Sequence, residues 1–148
     1  MLTGLQETKQ FSTFRVDDLF LGIEVIKVQE VIRFQEMTVI PLAPSVIEGL
    51  INLRGQIIIA IDTRRSLGLP PATGETLPMN VVIHSGDAIV SLLVDDVGDV
   101  IDVPLDAFST VPDNMPAQQR ELISGVYDLS EGLMLVLDTT QLLLNACN

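Results

Sequence analysis

The chain has no tryptophan, one tyrosine, one histidine, one cysteine and only eight lysine and arginine residues. Each shortage removes a class of function. With so few aromatic and cationic side chains there is little to stack on bases or to follow a phosphate backbone, so nucleic acid is excluded as a partner. The single cysteine, Cys147, cannot close an internal disulfide, and nothing calls for an oxidising compartment. It has no histidine near it in sequence and reads as inert. His84 ends a strand-like run just before Ser85-Gly86-Asp87, which suits a hairpin residue better than a general base. No glycine-rich phosphate loop is present. No run approaches the roughly eighteen consecutive apolar residues of a membrane helix, and Met1 to Gln10 lacks the basic start and apolar stretch of a secretory leader. The expectation is a cytoplasmic chain without direct membrane insertion.

What is present is apolar and acidic. Hydrophobic residues make up 47% of the 148, and the net charge is −12. The apolar share suits a β-rich core of valine and isoleucine, with some apolar surface left for partners. The charge repels phosphates and anionic headgroups and steers in basic or amphipathic partners.

Residues 1–9 read as a polar tail. Alternation from Phe11 to Val16, the turn Asp17-Asp18, and alternation from Leu19 to Val25 predict a hairpin. The alternation slips at Val25-Ile26 and resumes through Val28 and Ile32, as a bulge or bend would make it do. Ser45 is placed to start a helical turn over 46–48. Leu50 to Ile61 reads as two strands parted at Arg54-Gly55, and Asp62 or Thr63 caps a short helix ending at Gly68. Pro70, Pro71, Gly74 and Pro78 mark the best internal boundary. Beyond it come a hairpin around Ser85-Gly86-Asp87, a short helix over 114–121, strands over 122–127 and 133–137, and a C-terminal helix over 138–145.

The two halves repeat. A shift of 76 lays Ile47-Glu48-Gly49-Leu50-Ile51-Asn52-Leu53 on Ile123-Ser124-Gly125-Val126-Tyr127-Asp128-Leu129, and Ile61-Asp62-Thr63 on Leu137-Asp138-Thr139. A shift of 69 lays Val25, Val28, Val31 and Ile32 on Val94, Val97, Val100 and Ile101, and Glu30 on Asp99. Duplication predicts two similar β-barrels of about five strands, residues 10–77 and 78–146, with a binding groove between them. Neither barrel shows a cofactor motif. Asp95, Asp96, Asp99 and Asp102 are the one cluster suited to a divalent metal and a small metal-dependent enzyme. Their interleaving with Val97, Val100 and Ile101 fits a solvated acidic edge instead, and no metal site or catalytic residue is expected.

Three motifs in order resemble the chemotaxis coupling, or CheW-like, family. They are Gly22-Ile23-Glu24-Val25-Ile26-Lys27-Val28-Gln29-Glu30-Val31-Ile32, then Gly49-Leu50-Ile51-Asn52-Leu53-Arg54-Gly55-Gln56-Ile57 with Ile61-Asp62 and Arg64, then Val94-Asp95-Asp96-Val97-Gly98-Asp99-Val100. The resemblance runs from about Phe11 to Leu144. It implies a mainly β fold of two SH3-like five-stranded barrels packed side by side, with a few short helices. It implies a non-catalytic adaptor without cofactor. Such an adaptor joins the cytoplasmic tip of chemoreceptors to the regulatory domain of a histidine kinase and is recruited to membrane-bound receptor arrays. Val28, Gly49, Val82, Val97 and Val100 match receptor-groove positions, and Val25, Glu30 and Arg54 match the kinase contact, with Glu30 and Arg54 as a pair. The plain alternatives are that the valines are core, that Gly49 serves a local turn, and that the pair is an exposed salt bridge of little worth. Thr63, where many relatives carry leucine, and Ser109, where some carry a basic residue, depart from the family pattern. A pilus-motility or other chemosensory-like pathway fits the same sequence as flagellar chemotaxis. No receiver or kinase domain is expected within these residues.

Overall fold

A computed structural model describes residues 7–74 and 76–146. Eleven strands and three short α-helices form along them. They run β1 Thr8–Val16, β2 Leu19–Glu24, β3 Val28–Ile32, β4 Ile47–Leu53, β5 Gln56–Asp62, α1 Thr63–Ser66, β6 Met79–Ser85, β7 Ala88–Val94, β8 Asp96–Pro104, β9 Phe108–Ser109, α2 Ala117–Leu122, β10 Ile123–Leu129, β11 Gly132–Leu137 and α3 Thr139–Ala146. Most predicted strands appear where the apolar patterning and turn signals put them. The slip at Val25 is a single 3-10 turn, Val25–Lys27, between β2 and β3. Its repeat counterpart is the bend at Asp95 between β7 and β8. Cys147 lies outside the described residues.

Three local expectations are corrected. Strand β1 begins at Thr8, so it takes in the end of the supposed tail. No helical turn forms over 46–48. Instead the Ile47 amide donates to the Pro44 carbonyl at 3.0 Å and β4 starts at once. Helix α2 begins only after Pro116, whose ring suits the start of a helix but not its interior.

The strands form two sheets, β8-β1-β2-β11-β10-β9 and β3-β6-β7-β5-β4. Each curls into an SH3-like barrel by the same device, a bent strand that pairs at both edges. In the first sheet β8 pairs with β1, turns through Leu105–Ala107, and continues as β9 against β10. In the second, β3 pairs with β6, and further along Thr38 bridges to Leu50 of β4. Counted that way, each barrel has the five strands expected.

The sheets do not divide at residue 78. One barrel holds the N-terminal hairpin β1–β2 together with β8 to β11, and we call it the terminal barrel. The other holds β3 to β7, and we call it the central barrel. Strand order in one reproduces the other once β1–β2 is set against β6–β7, so each half of the repeat lends its hairpin to the other half's barrel.

Closure leaves three apolar cores among the described residues. Ile51, Leu53, Ile58, Ala60, Val82 and Leu93 fill the central barrel. Phe11, Val103, Tyr127 and Met134 fill the terminal one. The largest lies between the barrels, where Phe14, Val16, Leu21 and Ile23 of β1–β2 join Val81, Ile83, Val90 and Leu92 of β6–β7. Leu67, Leu122, Leu142 and Ala146, in or beside the short helices, belong to the same cluster. Burial of that many branched side chains supplies the adhesion that two small barrels need.

The repeat extends to detail. Register slips between Ile47 and Gly49 in one barrel and between Ile123 and Gly125 in the other. A Cβ on Gly49 would lie 2.7 Å from the Thr38 carbonyl oxygen, and one on Gly125 would lie 2.1 Å from the Phe108 ring. Each glycine therefore admits the returning arm of the bent strand that closes its barrel. Asp62 and Asp138 cap their helices alike, accepting from the amides of Arg65 at 3.2 Å and Gln141 at 3.0 Å.

Candidate partner-binding surfaces

The apolar seam surfaces beside β8. Strand β8 runs antiparallel to β1, with Val97 opposite Phe14 and Val100 opposite Ser12, so a bulge of one residue separates them. The Thr13 hydroxyl ties the bulge by donating to the Asp99 carbonyl at 2.6 Å. A bulge in mid-strand turns side chains that would otherwise alternate onto one face. Val97 continues the row Phe14–Leu21, and Val100 continues the row Ser12–Ile23. Leu21, Ile23 and Phe14 belong to the seam core, and Val97 packs against it half-buried. Val100 is 56% exposed. From the central barrel, Val28 packs against the same core at the start of β3. Three of the five expected groove residues, Val28, Val97 and Val100, thus border one apolar seam between the barrels.

The other two do not. Val82 is 0% exposed and lies inside the central barrel, because β6 buries both of its faces. Its neighbours Val81 and Ile83 face the seam core. The Val82 assignment is therefore corrected to core. Gly49 is buried in β4, and the Thr38 backbone fills the space above it. It serves the closure of the central barrel, which is neither the groove role expected for it nor the local turn offered as the alternative.

Of the three residues assigned to the kinase contact, two meet. Arg54 Nη1 donates to Glu30 Oε1 at 3.0 Å, and Arg54 Nη2 makes a second ion-paired bond to Glu30 Oε2. The guanidinium hydrogen bond holds the Glu30 carboxyl below its ordinary range. Arg54 and Gly55 form the two-residue hairpin turn between β4 and β5, both with positive φ, 52° and 87°. Asn52 braces the turn, accepting from the Gly55 amide at 2.9 Å. Next to it Ile57 is an exposed apolar side chain. The third residue, Val25, sits half-buried in the 3-10 turn where the chain leaves the terminal barrel.

The acidic run Asp95 to Asp102 does not gather round a point. Asp95 is engaged by Arg64, whose Nε and Nη2 reach its two oxygens at 3.0 Å and 2.5 Å. Among the described residues no group of three or more His, Cys, Asp or Glu side chains is placed to hold a metal ion. A cavity of about 710 Å³ opens beside Arg64, lined by Met37, Arg65, Pro71, Thr73 and Pro78 among others. Neither Val97 nor Val100 lines it. No described helix is long and apolar enough to cross a membrane.

Sequence reasoning missed the Arg64–Asp95 pair as a feature of the site. A signal for it exists. The repeat sets Ile26 against Asp95 and Thr140 against Arg64. The halves therefore lose their likeness at two positions of opposite charge.

Two barrels that share an apolar seam, with valines at its mouth and a separate charged hairpin on one of them, define a module for binding other proteins. The chain belongs to the CheW-like domain family, whose pattern it matches over residues 10–147. It is similar to the chemotaxis protein CheW of Klebsiella aerogenes, 28% identical over 142 residues that cover 96% of this chain and 86% of that one. It is similar also to the chemotaxis protein CheW of Rhizobium meliloti, 30% identical over 129 residues, with 87% and 83% covered. Its fold matches the crystal structure of the scaffolding protein TtCheW from Thermoanaerobacter tengcongensis with a TM-score of 0.80, covering 88% and 89% of the two chains at 24% identity.

Proposed function

We propose that this chain is a non-catalytic adaptor of chemotaxis signalling. It works in the cytoplasm, at receptor arrays, where it couples the tip of a chemoreceptor to the regulatory domain of a histidine kinase. The observation that carries the reading is the presence of two unlike surfaces on one small body. The seam mouth with Val28, Val97 and Val100 is apolar and suits a helical hairpin, whose apolar anchors supply affinity. The Glu30–Arg54 hairpin, with Ile57 exposed beside it, lies wholly on the central barrel and suits a second partner. Val25 joins that second set by its match to the family. An adaptor holding both partners raises the effective concentration of each for the other without chemistry of its own.

Calorimetric titration with the regulatory domain of a chemotaxis kinase from the same organism tests this. One-to-one binding of about micromolar affinity, weakened by Arg54→Ala and not by Val100→Asp, is the expected result. Absence of binding to every such kinase of that organism would overturn the kinase half of the reading.

A further inference from the structure

The chain passes between barrels twice, at the 3-10 turn Val25–Lys27 and at Asp95. The two passages are repeat counterparts, yet they are built differently. At the first, Ile26 is 76% exposed. At the second, the counterpart Asp95 stands at the centre of a polar clamp. Arg64, the second residue of α1 in the central barrel, grips both oxygens of Asp95. The same guanidinium donates to the Pro70 carbonyl at 2.7 Å and lies 3.6 Å from an Asp17 oxygen. Asp95 also accepts from the Asp17 amide at 2.7 Å and donates its own amide to the Arg15 carbonyl at 3.0 Å. Residues 15 and 17 belong to the end of β1 and its turn, in the terminal barrel. Asp17 holds a φ of 56°, a left-handed conformation that aspartate tolerates better than most residues. The Arg64 side chain is 15% exposed and the Asp95 side chain 31%, so the bidentate pair is partly shielded from screening water.

Asp95 is also the residue from which β8 springs. Val97 follows it by two positions and Val100 by five. We infer that Arg64, Asp95 and Asp17 form a latch between the barrels that fixes the start of β8 and so holds Val97 and Val100 in register for a partner. Arg64 and Asp95 are positioning residues and touch no partner themselves. The latch also links α1, which directly follows β5 of the charged β4–β5 hairpin, to the strand bearing the apolar mouth. The role of Val97 and Val100 rests on the function proposed above, and the placement of β8 does not.

The test uses the full chain and two variants, Asp95→Asn and Arg64→Met, with Arg64→Lys as a milder third. Amide hydrogen exchange of the free protein reads the latch directly. Faster exchange over residues 95–101, with the β4–β5 hairpin as in the parent, is expected. Unchanged exchange, or a uniform rise over the whole chain, would overturn the latch. A cytoplasmic hairpin fragment of a chemoreceptor and the kinase regulatory domain then serve as probes. The variants are expected to lose about tenfold in affinity for the fragment and to keep affinity for the kinase domain within about twofold. The double variant should be no worse than either single one, because the pair acts as a unit. Equal loss for both probes would make the pair mere structural glue and overturn the positioning role. If the parent chain binds no receptor fragment, the receptor reading falls, while the exchange measurement still decides the latch.

Discussion

Arg54 reaches across the open edge of the central barrel to Glu30. Glu30 lies on β3, at one end of the hydrogen-bonded strand order, and Arg54 follows directly on β4, at the other end. Their ion pair therefore crosses the line where the sheet meets itself. Arg54 does so from the hairpin turn, at a φ of 52° that a long side chain seldom adopts and that asparagine or glycine meets at less cost. In the terminal barrel the β10–β11 connection is turned differently: Ser130, the repeat counterpart of Arg54, keeps a negative φ and is hydrogen-bonded to Glu131. Among the described residues that barrel closes without such a pair, so closure alone does not require one.

From this follows a divergence between stability and binding. Arg54→Asn relieves the turn while removing the ion pair, whose arginine is 67% exposed and screened. The variant should melt no lower than the parent. Its affinity for a kinase regulatory domain should fall by about tenfold or more, as for arginines at interface hot spots. Arg54→Ala should show the same loss with melting nearly unchanged. A chain that unfolds on either substitution would show that the pair belongs to the fold.

Val100 and Val82 offer a contrast between surface and core at chemically equal residues. Val100→Asp puts a third carboxylate between Asp99 and Asp102 on an exposed strand position, so thermal unfolding should change little. Receptor-fragment binding should be lost and kinase binding kept. Val82→Ala empties part of the central core and should cost about 2 kcal/mol by denaturant unfolding, without selecting between partners. Loss of both partners on Val100→Asp would mean that Val100 supports the fold.

How far the sequence foretells all this depends on range. Apolar patterning located β1 and β2 by alternation, which sets neighbouring side chains on opposite faces, and β5, β7 and β11 by apolar runs. It carries no information on which strand lies beside which. Thr8 to Val16 pairs with Asp96 to Pro104 across more than half of the chain, so the exchange of hairpins between halves could not be read and a division at residue 78 looked natural. The run Val81-Val82-Ile83 is apolar at every position because both faces of β6 are buried, and periodicity is silent on which valine meets a partner. Family resemblance supplied the Glu30–Arg54 pairing. The Arg64–Asp95 contact spans 31 residues, and only the broken likeness of the repeats hints at it.

The repeat also carries a matched defect. The hydroxyls of Thr63 and Thr139, each the first residue of its helix, are buried without a hydrogen-bond partner. A buried polar group in that state costs about 1–3 kcal/mol relative to an apolar one of equal shape. Thr63→Val keeps the shape and removes the hydroxyl. It should stabilise the chain by about 1 kcal/mol, a rise in melting temperature of about 2–4 °C at this size. Calorimetric melting checks it, and a fall would mean that the hydroxyl has a bond partner in solution.

Acid should release the latch before it unfolds the barrels. Burial by itself pushes the Asp95 carboxyl up, but hydrogen bonds from Arg64 and from the Asp17 amide outweigh it, and the net shift is below the ordinary 3.8. A carboxyl depressed in the folded state stabilises it at every pH above the unfolded value. That stabilisation is lost as pH falls from about 3.8 through the lower folded value. Glu24, held down by Lys9 at 2.8 Å, titrates in the same direction, so the parent's acid curve alone does not isolate Asp95. The difference between the parent and Asp95→Asn does. That gap in melting temperature should be full at pH 7 and shrink towards zero below pH 3.8. A gap that stays constant across the range would mean that the Asp95 charge contributes nothing, and that Asp95 holds β8 through neutral hydrogen bonds alone.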